Sequence, residues 1–392
     1  MSTEEKNQTN SAGFILLGFS SSPEHQGFLF PIFLCMYLLC LLGNLLIILL
    51  VFSSTNLLQA PMYFFLCHLS LADLGFSSAA IPKLLYNLAT QTKAISHHGC
   101  LTQMYFFVSF AATDNFLLAS MAYDRYVAIC HPLHYARVMS FKCCVLLAAG
   151  CWLMAHFHSS LYIFFVSNFT FCASREIPHF FCDLHPLLKI SCSDTSIVDK
   201  LLVSEGTAIV LGPLLLIIFS YVFIALKVVK LPSKSKKYKA FSTCSAHLTT
   251  VALFYGTVIG TYLRPSSSYS VSRLRVASIF YTVVTPMLNP FIYSLRNREI
   301  HAAIKRLGCL GVFRSGPQSC PGNSEGLAHG ASASESGHQS SVFSSHTALL
   351  SSVFSGRGLQ EAMVAEKGTW EPFFADRALN SPQAPLTADG FY

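Results

Sequence analysis

Four polar side chains stand inside otherwise apolar stretches: Asn44, Asp73, Asp114 and Asn289. Asn44 follows Gly43, Asp73 sits in Leu-Ser-Leu-Ala-Asp-Leu, and Asn289 precedes Pro290. Carboxylates and amides are expensive to place in hydrocarbon, so each marks a functional position. Two carboxylates at similar depth repel unless a cation or a shared proton lies between them. The chemistry open to these residues is the holding of sodium or a proton, which suits a switchable polar core better than a static network. Covalent chemistry is not indicated. There is no nucleophile–base spacing and no phosphate-binding loop. His179-Phe-Phe-Cys182-Asp183 reads as a soft-metal site only if Cys182 is a free thiol; in a disulfide it leaves too few ligands. The expectation is a protein that is not an enzyme, with no metal and no cofactor beyond an internal sodium ion.

The elements that must position these residues follow from composition. Of 392 residues, 52% are hydrophobic and 11% charged, whereas a soluble domain carries about 25% charged residues. So few charges cannot cover a water-facing surface, and the chain reads as a membrane protein. Phe28 to Phe52 is 25 residues without a charge, and Val276 to Leu295 is another 20. Five more stretches, at roughly 61–82, 101–123, 143–167, 201–226 and 240–263, approach the ~20 apolar residues a helix needs to cross a bilayer. Short connections between spans of this length predict an antiparallel, all-α bundle of seven transmembrane helices. Pro213 and Pro290 each remove a backbone hydrogen bond inside a span and predict kinks there.

The expected organisation is an N-terminal segment over 1–27, a seven-helix domain over 28–295, an amphipathic helix over 296–307 and a tail over 308–392. In the third of these, Ile300, Ala303, Ile304 and Leu307 fall at helical spacing among basic residues, as in a helix lying on a membrane surface. The tail holds ten serines in the 26 positions from 331 to 356, which predicts disorder. The N-terminal segment lacks the features of a cleaved secretory signal.

Lysines and arginines near span ends favour an outside N-terminus by thirteen to nine, so the net charge of +7 is mainly topological and not a nucleic-acid footprint. Cys100, Cys172, Cys182 and Cys192 then share the oxidising face, as do the sequons at Asn7 and Asn168. Four cysteines allow three pairings. Cys100–Cys182 with Cys172–Cys192 is favoured because it closes the long loop on itself and lays its middle over the third span. Cys100–Cys192 with Cys172–Cys182 is the runner-up.

Met-Ala-Tyr-Asp-Arg-Tyr-Val-Ala-Ile-Cys at 121–130 resembles the signature of vertebrate olfactory receptors, a branch of the rhodopsin-like G-protein-coupled receptors. Further matches are Gly43-Asn44, Pro61-Met-Tyr-Phe-Phe-Leu66, Ser220-Tyr221, Lys239-Ala-Phe-Ser-Thr-Cys-Ser-Ala-His-Leu248 and Pro286-Met-Leu-Asn-Pro-Phe-Ile-Tyr-Ser-Leu-Arg-Asn297. The resemblance covers residues 13 to about 306, and the short connection between the last two spans is similar to the tetrapod-type class. Three features depart from the family pattern. Gln59-Ala60 stands where His-Thr is usual, Asp114 where Glu is usual, and the chain runs more than eighty residues past the amphipathic helix.

The resemblance implies an odorant receptor of the plasma membrane, with its N-terminus extracellular. Its partners would be a small hydrophobic volatile, a stimulatory, olfactory-type G protein that raises cAMP, and the lipid bilayer. It implies an activation switch of Asp124, Arg125, Tyr126, Tyr221, Tyr255, Asn289, Pro290 and Tyr293, with Tyr255 in the place of a toggle aromatic. Asn44, Asp73 and Asp114 resemble, with Asn289, an internal sodium or proton site. Counting helical turns outward from Asp114 and Tyr255, and adding spans five and seven, gives the expected ligand lining. It comprises Phe107, Val108, Ala111, Ile209, Val258, Ile259, Tyr262, Ile279 and Thr282. A transporter or channel is the alternative, disfavoured by the odd span count and the lack of an internal repeat.

Overall fold

The computed structural model describes residues 13–19, 23–171, 175–262, 271–294 and 298–307. Seven long helical segments run through them. They are α1 (Pro23–Phe52), α2 (Pro61–Thr90), α3 (His97–Cys130), α4 (Phe141–Val166), α5 (Ser196–Val229), α6 (Lys234–Tyr262) and α7, built of Val271–Ile279, Phe280–Val284 and Thr285–Ser294. A short α8 (Arg298–Leu307) follows. Apolar 20-mers become helices because hydrocarbon offers the backbone no other partner. Helix α3 packs against α2, α4, α5 and α6, and α7 closes on α1, α2 and α6. The central helix therefore carries Asp114 and Arg125 at different depths of one element.

Six of these helices are long and apolar enough to span a membrane, where the sequence predicts seven. The difference lies in α6. Lys234, Lys236 and Lys237 open it, and Ser242, Thr243, Ser245, His247, Thr249 and Thr250 follow. Two of its hydroxyls bond their own helix backbone, Thr249 Oγ1 donating to the Ser245 carbonyl at 2.8 Å and Ser245 Oγ to that of Ser242 at 3.1 Å. His247 is buried against α3 and α5. Hydroxyls that bond their own helix backbone, and a histidine held by α3 and α5, let α6 lie in the bundle without an apolar composition.

A three-stranded sheet adds to the all-α expectation. Strand β1 (Phe14–Leu16) lies between β2 (Ala94–Ile95), antiparallel with Phe14 opposite Ile95, and β3 (Glu176–Ile177), parallel with Ile15 opposite Glu176. Outside the apolar spans the backbone still seeks partners, and three loop segments supply one another. Gly13 permits the close approach, since a Cβ there would stand 2.2 Å from the Ile95 carbonyl oxygen. Phe14 and Leu16 point inward and are buried with Cys100, Met104, Tyr162 and Ile177.

In α8, Ile300 and Ala303 are buried in the same apolar cluster as Ile47 and Leu50 of α1, while Ile304 is exposed. The amphipathic spacing thus presses one stripe onto the bundle. Residues 308–392, which include all of the predicted tail, lie outside the described residues, as do Asn7 and Cys172.

Candidate functional site

The polar core is built on proline. Pro290 has no N–H, so the carbonyl of Pro286, four residues back, loses its helical partner. Asn44 supplies a replacement: its Nδ2 donates to that oxygen at 3.0 Å and to the Cys40 carbonyl at 3.0 Å. Gly43 makes room for the meeting, since a Cβ there would sit 3.1 Å from the Pro290 ring. One turn along, Asn289 Nδ2 donates to Asp73 Oδ2 at 2.8 Å, tying α7 to α2. Asp73, Asp114, Thr250 and Asn289 line a cavity of about 10 Å³ with Phe76 and Tyr281 among its walls, room for one water or small ion. Asp114 Oδ1 and Asn289 Oδ1 are buried there without a partner among the described residues. Two carboxylates and an amide oxygen around so small a space form a hard-oxygen set, the kind that takes sodium or shares a proton. Asp73, Asp114 and Asn289 suit the ion expected from the sequence, whereas Asn44, expected in the same site, is not among the residues lining the cavity and holds the Pro286 carbonyl instead.

On the side of the core nearer the sheet, the bundle is filled with aromatic rings. Phe107 packs on Phe181 at 4.5 Å, on Phe76 at 4.7 Å and on Tyr281 at 5.9 Å between centroids. Val108, Ala111 and Ile279 join this cluster half-buried, and Thr282 is buried beside it, its hydroxyl turned to the Ser278 carbonyl at 2.7 Å. Ile209 and Val258 are half-buried elsewhere. Ile259 does not belong to a lining. It is 42% exposed and shares an outward face of α6 with Ala252 and Gly256, whereas Val251 and Tyr255 face inward. Counting turns from Tyr255 selects the right helix, but it does not fix the face. The side chain of Tyr262 lies outside the described residues.

Phe180 and Phe181 reach the cluster from the long loop, and their course is set by a bridge. Cys100 and Cys182 are disulfide-bonded. The Cys182 N–H donates to Gln103 Oε1 at 2.9 Å, while Gln103 Nε2 donates to the Ala79 carbonyl at 2.9 Å. His179 Nε2 lies 3.0 Å from Ser278 Oγ of α7, and Arg275 Nε donates to the Pro178 carbonyl at 3.2 Å. Burial, and then the Arg275 charge, push the His179 imidazole down from 6.5 to about 3. Asp183, raised chiefly by burial, caps the helix Leu184–Ile190 through the Leu184 N–H at 2.8 Å. With His179 on Ser278 and Cys182 in a bridge, this segment is a strap and not a metal site. Cys192 is also disulfide-bonded, and its N–H donates to the Thr170 carbonyl at 2.9 Å. Asn168 is exposed at the end of α4, its amide on the Phe164 carbonyl.

At the other end of α3, Arg125 pairs with Asp124, Nε donating to Oδ2 at 2.9 Å. The second carboxylate oxygen accepts from the Tyr135 hydroxyl at 2.7 Å. Tyr135 was not foreseen among the switch residues; its place five residues beyond Cys130 gave the only hint. Tyr126 faces away, its hydroxyl 3.0 Å from His131 Nε2. Tyr221 lies 2.8 Å from His247 Nδ1, whose Nε2 in turn meets the Leu118 carbonyl at 3.0 Å. Tyr293 is buried. Above them Tyr255 donates its hydroxyl to Asn115 Oδ1. Asn115 and His247 were also missed, because in sequence Asn115 stands beside Asp114 and His247 among the serines and threonines of α6, so nothing singles either out.

Known proteins share this framework. The olfactory receptor family model matches residues 33–310. Olfactory receptor 1L6 of Homo sapiens is 53% identical over 305 residues, 78% of this chain and 88% of that protein. Olfactory receptor 1L4 of Homo sapiens is likewise 53% identical over 305 residues and covered over 98% of its length. Olfactory receptor 1 of Rattus norvegicus is 51% identical over the same length, covered over 97%. The aromatic cluster, the proline-built polar core and the Asp124–Arg125 pair all fall inside the matched region. The chain belongs to the olfactory receptor family.

Proposed function

We propose that this chain is an odorant receptor of the plasma membrane that takes a small, mostly hydrophobic volatile and activates a stimulatory, olfactory-type G protein, raising cAMP. The observation that supports this most directly is the continuity of one helix. Along α3, Phe107 stands in the aromatic cluster, Asp114 in the polar core and Arg125 in the pair with Asp124. In this reading the sheet and the Cys100–Cys182 bridge lie outside the cell and Arg125 lies inside. The cluster offers dispersion and burial with few hydrogen-bonding groups, which suits an apolar ligand. Phe181 shields it from the outer medium as part of the strap.

In the resting state Asp124 is held by Tyr135 and holds Arg125. Ligand that reorders the aromatic rings changes the packing of α6 and α7 around the small cavity. Asp73, Asp114 and Asn289 are the residues that would hold a sodium ion or a shared proton there. Such an ion supplies the positive charge that lets two buried carboxylates coexist. A change in how Asp73, Asp114 and Asn289 pair with one another favours a different arrangement of α7, and Arg125 is released to a partner. The test is a panel of volatiles applied to cells expressing the full chain, read as cAMP. A concentration-dependent rise is expected for at least one apolar volatile. Full surface expression with no response across a broad panel, together with solute flux through the protein, would overturn the reading in favour of a transporter.

A further inference from the structure

Gln103 is buried one turn along α3 from Cys100, and its amide is used at both ends. Oε1 accepts from the Cys182 N–H at 2.9 Å, and Nε2 donates to the Ala79 carbonyl of α2 at 2.9 Å. A backbone N–H only donates and a carbonyl only accepts, so the two partners fix which way the amide points. Pro82 interrupts the α2 ladder in the same turn, since it has no N–H for the Ser78 carbonyl. Just before Cys182 come Phe180 and Phe181, both buried. Phe181 stands on Phe107 at 4.5 Å and Phe180 on Phe19 at 4.8 Å between centroids. The Cys100–Cys182 disulfide ties the strap to α3 through a side chain, and rotation about side-chain bonds leaves the height of the main chain open. The bond from the Cys182 N–H to Gln103 removes that freedom.

We infer that Gln103 is a positioning residue that clamps the strap to α2 and α3, and so sets how deeply Phe181 enters the aromatic cluster. Bridge and amide act on one residue, the first holding its side chain and the second its main chain. Without the amide, the Cys182 N–H is a buried donor with no acceptor, and lifting the strap toward water relieves it. Phe181 then leaves Phe107. That this alters which volatiles fit rests on the receptor reading above; the clamp itself does not.

Cys100 and Cys182 are both fully buried, so a phosphine reductant reaches their bridge only when the strap lifts. Cys192 is exposed and holds a bridge of its own, which serves as the internal control. The experiment uses the full chain in lipid nanodiscs and follows reduction of each bridge by alkylation and peptide mass spectrometry. Gln103→Met keeps the length and removes both hydrogen bonds. It is expected to speed reduction of Cys100–Cys182 at least fivefold and to leave the Cys192 bridge within twofold. Gln103→Glu gives a readout that lost packing would not move. Protonated, its carboxyl accepts from Cys182 and donates to Ala79 as the amide does; ionised, it sets an oxygen without a proton against the Ala79 carbonyl. Its rate is divided by that of the wild type at the same pH, which removes the contributions of His179 and Asp183 in the same segment. That ratio is expected to lie within twofold of unity at pH 5.5 and to rise at least fivefold by pH 9. An unchanged rate in Gln103→Met, or a ratio in Gln103→Glu that does not rise with pH, overturns the inference. If Gln103→Met does not fold, Gln103→Glu prepared at pH 5.5 and shifted to pH 9 decides by the same criterion. A wild type whose bridge behaves in this way but that gives no odorant-evoked cAMP would sink the receptor reading and leave the clamp standing.

Discussion

Asp73 and Asp114 face one small cavity but are satisfied differently. Asp73 accepts from Asn289, whereas Asp114 Oδ1 has no partner among the described residues. They should act as one unit. Asp73→Asn and Asp114→Asn are each expected to reduce odorant-evoked cAMP severalfold, and the double variant to lose clearly less than the product of the two. Strict multiplicativity would mean that the carboxylates do not share an ion or a proton. Replacing choline by sodium at fixed ionic strength is expected to raise the unfolding midpoint of the wild type and not of Asp73→Asn. Arg125 makes a different kind of contribution. Its guanidinium is held on a carboxylate that Tyr135 also fixes, so the charge is presented only when that pair opens. Arg125→Ala should cut the cAMP response at least tenfold while surface staining persists; a full response at normal surface level would remove this residue from the mechanism.

Among the elements, the strap from Pro178 to Cys182 carries a pH dependence. The folded His179 pKa of about 3 lies below its ordinary 6.5. Between those values the unfolded chain binds a proton that the folded chain refuses. The contribution of His179 is therefore whole above pH 6.5 and is lost as pH falls toward 3, at a slope of up to about 1.4 kcal/mol per pH unit. Thermal unfolding of the wild type between pH 7 and pH 4.5 should show a falling midpoint, and His179→Gln should flatten it. Equal slopes in the two proteins would place the acid sensitivity elsewhere. The second bridge of the same loop is also open to test. Non-reduced peptide mapping is expected to recover Cys172 linked to Cys192, and recovery of Cys192 on any other cysteine would refute that pairing. Within the bundle, α6 shows why a hydropathy reading falls short by one span. Ser245 and Thr249 bond the helix's own backbone and His247 bonds α3 and α5, which only the folded arrangement makes visible.

For the whole molecule, the family match ends at residue 310, close to the end of α8. Truncation after Leu307 should therefore leave odorant response and surface delivery within about twofold of the full chain. A truncated protein that reaches the surface but is silent would make the tail part of the machinery. The helical membrane bundle, the buried polar residues and the Asp124–Arg125 signature could all be read from the sequence. These are properties of single residues in apolar surroundings and of uninterrupted apolar length, and neither needs a partner to be recognised. Which side chains meet is visible only in the fold. That Asn44 caps Pro286 and Gln103 holds Cys182 depends on the rotation and depth of segments far apart in the chain. So does the outward turn of Ile259, because its half of α6, Val251 to Tyr262, is mostly apolar on every side and has no face until neighbours cover one. The small sheet was hidden for a related reason: two- and three-residue strands have too little alternation to be read, and they exist because three loops converge where the lipid ends.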